Sequence, residues 1–106
     1  MQLHMADALE DYIVHLVMAT REPAKYSPDL ASWIQYAASP RATIALDRCA
    51  RAHAWLAGRD YVSPEDVQSI APDVLRHRVL LSFEAEAAGV SSDDVIAKLL
   101  SRVAVP

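Results

Sequence analysis

The sequence contains little glycine and little cysteine. Only 2 of its 106 residues are Gly, at positions 58 and 89, and neither lies in a GxxxxGKS/T or GxGxxG motif. Because such motifs hold phosphates on consecutive backbone N–H groups, the chain has no glycine-rich nucleotide site of its own. Its single cysteine, Cys49, cannot form an internal disulfide and fits a reducing cytosol. A self-contained nucleotide-binding domain and a disulfide-stabilised fold are therefore excluded.

Long apolar runs and an excess of positive charge are also absent. No stretch approaches the ~20 apolar residues that a bilayer-spanning helix needs, and residues 1–7 lack the basic start of a signal peptide. The 10 Lys and Arg residues against 14 Asp and Glu give a net charge of −4. Since nucleic acids and anionic membranes bind basic faces, we expect no nucleic-acid partner and no membrane partner. The composition predicts a soluble, cytoplasmic protein.

The residues that are present favour one helical domain. Apolar residues make up 53% of the chain and charged residues 23%, which is enough for a packed core in 106 residues. Alanine and leucine are abundant and β-branched residues are scattered, which favours helix over strand. We therefore predict a single domain over residues 1–106 that is mainly α. It should be a small bundle of four to five helices with a short two-stranded ribbon.

Apolar spacing and capping residues predict two long helices in the first half of the chain. The first covers roughly residues 7–21 and the second begins with Ser39 as N-cap and Pro40 as the first helical residue, ending at Gly58. The predicted buried stripe of the first helix consists of Leu9, Tyr12, Ile13, Leu16 and Val17. The predicted apolar face of the second consists of Ala42, Ala45, Leu46, Cys49, His53 and Leu56.

Two further helices are predicted from capping sequences in the second half. Ser63 with Asp66, and Ser91 with Asp94, each have the three-residue spacing of a capping box. Pro72 lies inside the first of these helices and disfavours α geometry at the residue before it, so we expect a kink or a break there. The predicted stripe of the last helix consists of Val95, Ile96, Leu99, Leu100 and Val103.

The segments between these helices are less regular. In residues 23–39 the apolar spacing allows only one or two helical turns, around Leu30 and Trp33. Residues 77–83 lack a helical stripe and are predicted to contain a short strand paired with residues 61–62. This pairing would form the two-stranded ribbon.

Arg41 is the strongest candidate for a functional side chain. It lies at about the second helical position, where a cation faces the positive end of the helix dipole at a cost of ~0.3–1 kcal/mol unless an anion offsets it. Exposed N–H groups beside a guanidinium form a natural phosphate site, since arginine can bind phosphate through two parallel hydrogen bonds. The alternative is that Arg41 pairs with Asp29 or points into water.

Other polar side chains are weaker candidates. The 4 histidines share no metal-ligand spacing, and Cys49 with His53 makes only a pair, whereas zinc needs three or four ligands. We predict no metal site and interpret His53 as a hydrogen-bonded core histidine. Arg48 and Arg51 could suggest a nucleic-acid face, but Asp47 precedes Arg51 by one helical turn and favours a solvated face with an ion pair.

Three blocks of sequence resemble one known family. They are residues 36–42 (YAASPRA), 58–67 (GRDYVSPEDV) and 71–78 (APDVLRHR), and residues 11–14 (DYIV) match an earlier helix. In this order and spacing they resemble the C-terminal lid of the MoxR family of AAA+ ATPases. The resemblance covers essentially the whole chain and is specific because three separate blocks agree. Ala37 stands where that family usually has glycine.

The resemblance implies a role for Arg41. In that family the helical lid follows a large α/β domain with Walker A, Walker B and arginine-finger residues, none of which this chain carries. Arg41 matches the sensor-2 arginine, which reaches from the lid to the γ-phosphate of ATP. The implied catalytic residue is therefore Arg41, and the implied nucleotide-binding residues are Ser39, Pro40 and Arg41.

The resemblance also implies an interface, cofactors and partners. Arg76, His77 and Arg78 match a family block and are candidates for contact with the ATPase domain or a ring neighbour; the alternative is a solvated turn. ATP and Mg²⁺ are implied for the complete protein, and neither is expected on this chain alone. The implied partners are its own AAA+ catalytic domain, further copies in a ring and a von Willebrand factor A domain protein.

Two functions follow from this sequence. The first is a lid that couples ATP hydrolysis to chaperone-like maturation of other proteins. The second is a free-standing helical adaptor whose groove accepts a partner helix. Walker A and Walker B sequences encoded upstream in the same reading frame would favour the lid.

Overall fold

Helices dominate residues 4–106, the part of the chain that this computed structural model describes. The six α-helices are α1 (Asp7–Arg21), α2 (Pro28–Trp33), α3 (Ala42–Leu56), α4 (Pro64–Leu75), α5 (Phe83–Ala87) and α6 (Ser92–Arg102). A 3-10 turn covers Pro23–Lys25, and the two strands are β1 (Ile34–Tyr36) and β2 (Leu80–Leu81). The mainly α fold with a short ribbon is confirmed, and the short helices α2 and α5 raise the helix count above the prediction.

The sequence predicts neither a signal peptide nor a membrane-spanning helix. Residues 1–3, part of the segment in which no signal peptide is expected, lie outside the described residues. Within residues 4–106, no helix has the length and apolar character needed to cross a membrane.

Helix α1 has the buried stripe that its sequence predicts. All five predicted residues are 3% exposed or less, and the helix ends at Arg21 as expected. α1 packs against α3 and α6. The stripe of α1 is therefore part of the single hydrophobic core, to which α3, α4 and α6 also contribute.

Helix α3 turns to the core a face that only partly matches the predicted one, since Ala42 and Leu46 are buried as predicted. Its buried residues are Ala42, Leu46, Ala50 and Ala54, spaced four apart. By contrast, Cys49 is exposed and Leu56 is 85% exposed, so the predicted stripe is wrong at both positions. The prediction ranked faces by side-chain hydrophobicity, whereas alanines at this spacing allow close approach of α4, against which α3 packs most extensively.

Gly58 closes α3 as predicted. Its φ of 78° lies in the left-handed region, which glycine adopts without a Cβ clash. The Gly58 N–H donates to the Trp55 carbonyl at 3.0 Å and the Arg59 N–H donates to the Ala54 carbonyl at 3.1 Å. These are the two hydrogen bonds of a Schellman motif, and they set the backbone position of Arg59 near the start of α4.

Helix α4 continues through Pro72, so of the two predicted alternatives, a kink or a break, the break is wrong. The helix extends over Pro64–Leu75 with Pro72 inside it. Val67, Ala71 and Leu75 are completely buried. Because this stripe packs against α3, tertiary contacts outweigh the local preference of Ala71 for an extended conformation.

The sheet forms between segments that were not predicted to pair. β2 is antiparallel to β1, with Ile34 opposite Leu81. Tyr61, in the predicted partner segment, forms an isolated parallel bridge with His4 instead. The predicted ribbon pairing is therefore wrong, because hydrophobic spacing can mark an extended segment but does not identify its partner across the fold.

Both predicted capping boxes are present. The Ser63 N–H donates to Asp66 Oδ2 at 2.7 Å at the start of α4, and the Ser91 N–H donates to Asp94 Oδ2 at 2.9 Å at the start of α6. α6 buries Val95, Ile96 and Leu99 as predicted. The two caps differ in environment, because Asp66 is buried and Asp94 is exposed.

Asp66 lies at the centre of an ionic cluster that joins α3 to α4. Arg59 donates two hydrogen bonds to its carboxylate, both of 2.6 Å, and His53 Nδ1 lies 2.6 Å from Oδ1. The Arg59 hydrogen bonds, with smaller contributions from Ser63 and His53, hold the pKa of Asp66 well below its usual range although burial opposes them. His53 is hydrogen-bonded as predicted, but its side chain is 42% exposed and so lies at the edge of the core.

Candidate functional site

The segment before α3 presents Arg41 at the start of that helix. α3 begins at Ala42, and Arg41 precedes it with nearly helical dihedrals of φ −67° and ψ −14°. The predicted start at Pro40 is therefore too early, because Ala42 and Thr43 donate to the carbonyls three residues back, as in a 3-10 turn. The Ser39 hydroxyl still accepts a hydrogen bond from the Arg41 N–H at 3.1 Å. Ser39 and Pro40 thus form the turn that positions Arg41.

Contacts with the end of α1 hold the chain just before this turn. The N–H of the buried Ala38 donates to Thr20 Oγ1 at 3.2 Å, and Arg21 Nη1 donates to the Ala38 carbonyl at 3.3 Å. Ala37 has a negative φ, as does every other non-glycine residue for which the structure describes a conformation. The backbone here therefore does not require the glycine that the MoxR-like pattern usually has at this position.

The Arg41 guanidinium is open to solvent. Arg41 is exposed, and within residues 4–106 its side chain forms no hydrogen bond or ion pair. Asp29, the alternative partner considered from sequence, instead accepts a hydrogen bond from Lys98 Nζ at 2.9 Å. The Arg41–Asp29 pairing is therefore wrong, and the guanidinium remains available to an external anion.

Three arginines line one surface depression, which we call the arginine depression. It has a volume of about 580 Å³ and is lined by Ser39, Arg41, Ile44, Ala45, Arg48, Cys49 and Arg78. Arg41 and Arg48 lie at the start and in the middle of α3, and Arg78 follows the end of α4. No Asp or Glu lines the depression. The site therefore presents positive charge from α3 with the turn before it, and from the turn after α4, without a carboxylate to neutralise it.

Most other cations of the described residues are already paired. Arg51 forms the predicted pair with Asp47 and also approaches Glu10. The remaining ion pairs include Lys25–Glu22, Arg59–Asp66, Arg76–Asp93 and Lys98–Asp29. In the same part of the chain, Arg48 and Arg78 form no such pair. The arginine depression is thus distinct in charge from the rest of this acidic protein.

The structure separates the three predicted interface residues. Arg76 donates to Asp93 at 2.9 Å and to Asp73 at 3.1 Å, and so connects α4 to the start of α6. His77 and Arg78 are both exposed to solvent, but only Arg78 lines the arginine depression. Of the three, Arg78 is the one that the fold brings beside Arg41.

Sequence reasoning missed the association of Arg48 and Arg78 with Arg41. A signal for Arg48 was present, because residues seven apart on a helix lie on the same face. Nothing in the spacing of Arg78 indicates its proximity to α3, since that depends on how α4 packs. Among the described residues, no group of three or more His, Cys, Asp or Glu side chains could hold a metal ion.

All residues that line the arginine depression lie within a segment that matches a known protein family. The model of the AAA lid domain family matches residues 30–99, a segment that contains Arg41, Arg48 and Arg78. The chain belongs to the AAA lid domain family. The predicted identity as a lid is thereby confirmed. The arginine depression of this lid is formed by the turn before α3, by α3 itself and by the turn after α4.

Individual relatives place the lid among MoxR proteins. It is 46% identical over 100 residues to Chaperone MoxR1 of Mycobacterium tuberculosis, an alignment that covers 93% of the lid and 26% of that protein. It is 39% identical over 93 residues to Protein MoxR of Methylorubrum extorquens, covering 81% of the lid and 27% of that protein. The resemblance to MoxR lids is therefore confirmed, and the lid spans about a quarter of the length of these relatives.

A solved structure has the same fold. The lid superposes on the crystal structure of a candidate ATPase from Cytophaga hutchinsonii with a TM-score of 0.93 and 45% sequence identity. The superposition covers 99% of the lid and 32% of that chain. Between 81% and 99% of the lid thus corresponds to one part of a larger protein in each of these comparisons.

Proposed function

We propose that this lid serves a MoxR-type ATPase in which Arg41 is the sensor-2 arginine. The observation that supports this proposal is the exposed, unpaired Arg41 guanidinium at the start of α3, inside a depression whose charged lining residues are all arginines. The match of residues 30–99 to the AAA lid family agrees with it. In this role Arg41 reaches the γ-phosphate of ATP held by the α/β catalytic domain, and Ser39 and Pro40 orient the arginine.

The physical basis is charge stabilisation by a positioned cation. Phosphoryl transfer depends mainly on positioning and electrostatics, and a guanidinium can donate two parallel hydrogen bonds to one phosphoryl group. Since hydrolysis removes the γ-phosphate, it also removes the anion that holds Arg41, and the lid is released from the catalytic domain. The lid would thereby transmit the state of the nucleotide to partner proteins.

The proposal assigns Mg²⁺ to the catalytic domain. The lining of the arginine depression contains no carboxylate and is positively charged, so its chemistry does not fit a divalent cation. Mg²⁺ would bind the phosphates of ATP from the catalytic side. The lid contributes side chains that bind anions only.

The proposal extends to the partners and the setting of the complete protein. Its own AAA+ catalytic domain is the primary partner, and copies of the protein form an oligomeric ring in the cytoplasm. A von Willebrand factor A domain protein is a further proposed partner. The complete ATPase uses ATP hydrolysis for chaperone-like remodelling or maturation of other proteins.

A titration of the lid with ATP and ADP tests whether Arg41 senses phosphate. We expect small amide chemical-shift changes confined to Ser39–Ala42, Arg48 and Arg78, and larger with ATP than with ADP. These changes should not saturate below about 1 mM nucleotide, because single exposed charge contacts are worth ~0.2–1 kcal/mol. Saturable binding at micromolar ATP would contradict the proposal, since it requires a complete site on the lid. Shifts centred elsewhere on the lid would also contradict it.

A further inference from the structure

We infer that Arg78 is a second phosphate-binding arginine and that the arginine depression binds a chain of phosphates rather than one isolated phosphate. This inference rests on the proposed function, because it concerns the same site and names additional groups that contact the substrate. The observation that carries it is the convergence of Arg41, Arg48 and Arg78 on one depression without a carboxylate in its lining.

The charge balance of the lid favours an anionic ligand here. The chain has 14 acidic residues against 10 Lys and Arg, yet among the described residues these three arginines lack an acidic partner. Like charges that share a depression repel one another, and an anion bound between them removes that repulsion. The guanidinium geometry favours phosphate oxygens, which accept two parallel hydrogen bonds.

The spread of the three arginines favours a phosphate chain. Arg41 and Arg48 lie seven residues apart along α3, which corresponds to about 10 Å of helix length. Two arginines this far apart reach one phosphate group only if their side chains converge against their mutual repulsion, whereas the linked phosphates of a nucleoside triphosphate extend along the row and offer oxygens to each guanidinium. We therefore assign Arg41 to the terminal phosphoryl group, and Arg78 and Arg48 to the phosphate chain.

The backbone at Arg78 is held in place by the end of α4. The Arg78 N–H donates to the Leu75 carbonyl at 2.9 Å and the Val79 N–H donates to the same carbonyl at 3.1 Å. Leu75 and Val79 are both buried in the core. Because α4 packs against α3, this turn carries Arg78 to the depression while Arg76 stays bound to Asp93. Phosphate recognition would then involve two helices of the lid.

The test is a titration of the lid with inorganic tripolyphosphate, followed by amide and arginine Nε–Hε chemical shifts. We expect weak binding in wild type and a decrease in affinity of about fivefold for Arg78→Ala as well as for Arg41→Ala, the size of one exposed charge contact. Arg78→Lys should fall between wild type and Arg78→Ala, because it keeps the charge but loses the two parallel hydrogen bonds. Orthophosphate should bind more weakly than tripolyphosphate.

Arg102→Ala is the matched control, because Arg102 is exposed at the end of α6, outside the depression. It should leave tripolyphosphate affinity unchanged. If Arg78→Ala behaves like Arg102→Ala while Arg41→Ala weakens binding, the assignment of Arg78 is overturned and the sensor role of Arg41 stands. If neither variant weakens binding, the phosphate-chain site is overturned, and the sensor role is judged separately by ATP turnover.

A carboxylate probe distinguishes phosphate from an acidic protein surface. Tricarballylate carries three carboxylates and should bind more weakly than pyrophosphate, an anion of similar charge near neutral pH, at the same ionic strength. Equal affinity for the two anions would overturn the inference, because it would indicate a general anion surface suited to acidic side chains of a neighbouring protein.

Discussion

Replacing Arg41 by alanine should lower ATP turnover about 100-fold in the ATPase that carries this lid, the usual cost of removing one preorganised donor to a developing negative charge. The physical reason is that the exposed, unpaired Arg41 guanidinium would be the group that the lid supplies to the γ-phosphate. The measurement is kcat by a coupled phosphate-release assay at saturating ATP. Arg41→Lys should retain part of the activity, because the charge remains but the two parallel hydrogen bonds do not.

The stability of the Arg41→Ala protein separates a lost contact from a misfolded lid. Arg41 makes no side-chain hydrogen bond or ion pair within residues 4–106, and its cation faces the positive end of α3. Its removal should therefore leave the free energy of unfolding unchanged within about 0.5 kcal/mol, or raise it slightly. Arg102→Ala is the control for turnover and should match wild type. Unchanged hydrolysis in Arg41→Ala would refute the sensor role.

Replacing Asp66 by asparagine should have the largest effect on the stability of the lid. The substitution removes a buried carboxylate and leaves Arg59 and His53 without their acidic partner. Because Arg59 and His53 keep access to water, the cost is that of the charged hydrogen bonds to the buried carboxylate, about 2 kcal/mol, and at this chain length that corresponds to a decrease in Tm of roughly 8–16 °C. The measurement is urea denaturation at pH 7 followed by circular dichroism.

Asp94→Asn provides a matched control, because Asp94 occupies the same capping position in α6 but is exposed. It should lose only about 0.5–1 kcal/mol, as expected for an exposed helix cap. If Asp66→Asn loses no more stability than Asp94→Asn, the ionic cluster does not hold α3 to α4.

The same cluster predicts a dependence of stability on pH. The pKa of Asp66 is lower in the folded protein than the ~3.9 of an unfolded aspartate, so its contribution to stability is fully present above pH ~4. As the pH falls below that value, the unfolded state takes up a proton before the folded state does, and the contribution is progressively lost. Denaturation midpoints from pH 7 to pH 2 should fall more steeply in wild type than in Asp66→Asn. Parallel curves would show that other carboxylates dominate acid unfolding.

Local signals in the sequence predicted the parts of the lid that depend on neighbours along the chain. The stripe of α1, both capping boxes and the glycine that ends α3 were correct, because each depends on helical spacing or on a few adjacent residues. Arg41 was also identified from its position beside a helix start. The wrong predictions concern choices among distant partners: part of the buried face of α3, the break in α4 and the strand that pairs with β2.

The residues of the candidate site also differ in whether local sequence or tertiary packing placed them. From the amino-acid sequence by itself, capping and periodicity indicated a mainly helical fold and placed Arg41 at a helix start, since both act over one or two turns. The resemblance to a MoxR lid was carried separately by the sequence blocks at residues 36–42, 58–67 and 71–78. Only the tertiary structure decided that Arg48 and Arg78 join Arg41 and that Asp29 binds Lys98 instead. The physical reason is that α4 packs on α3 through small side chains, and such packing depends on the shape of both helices, which periodicity in one segment cannot specify.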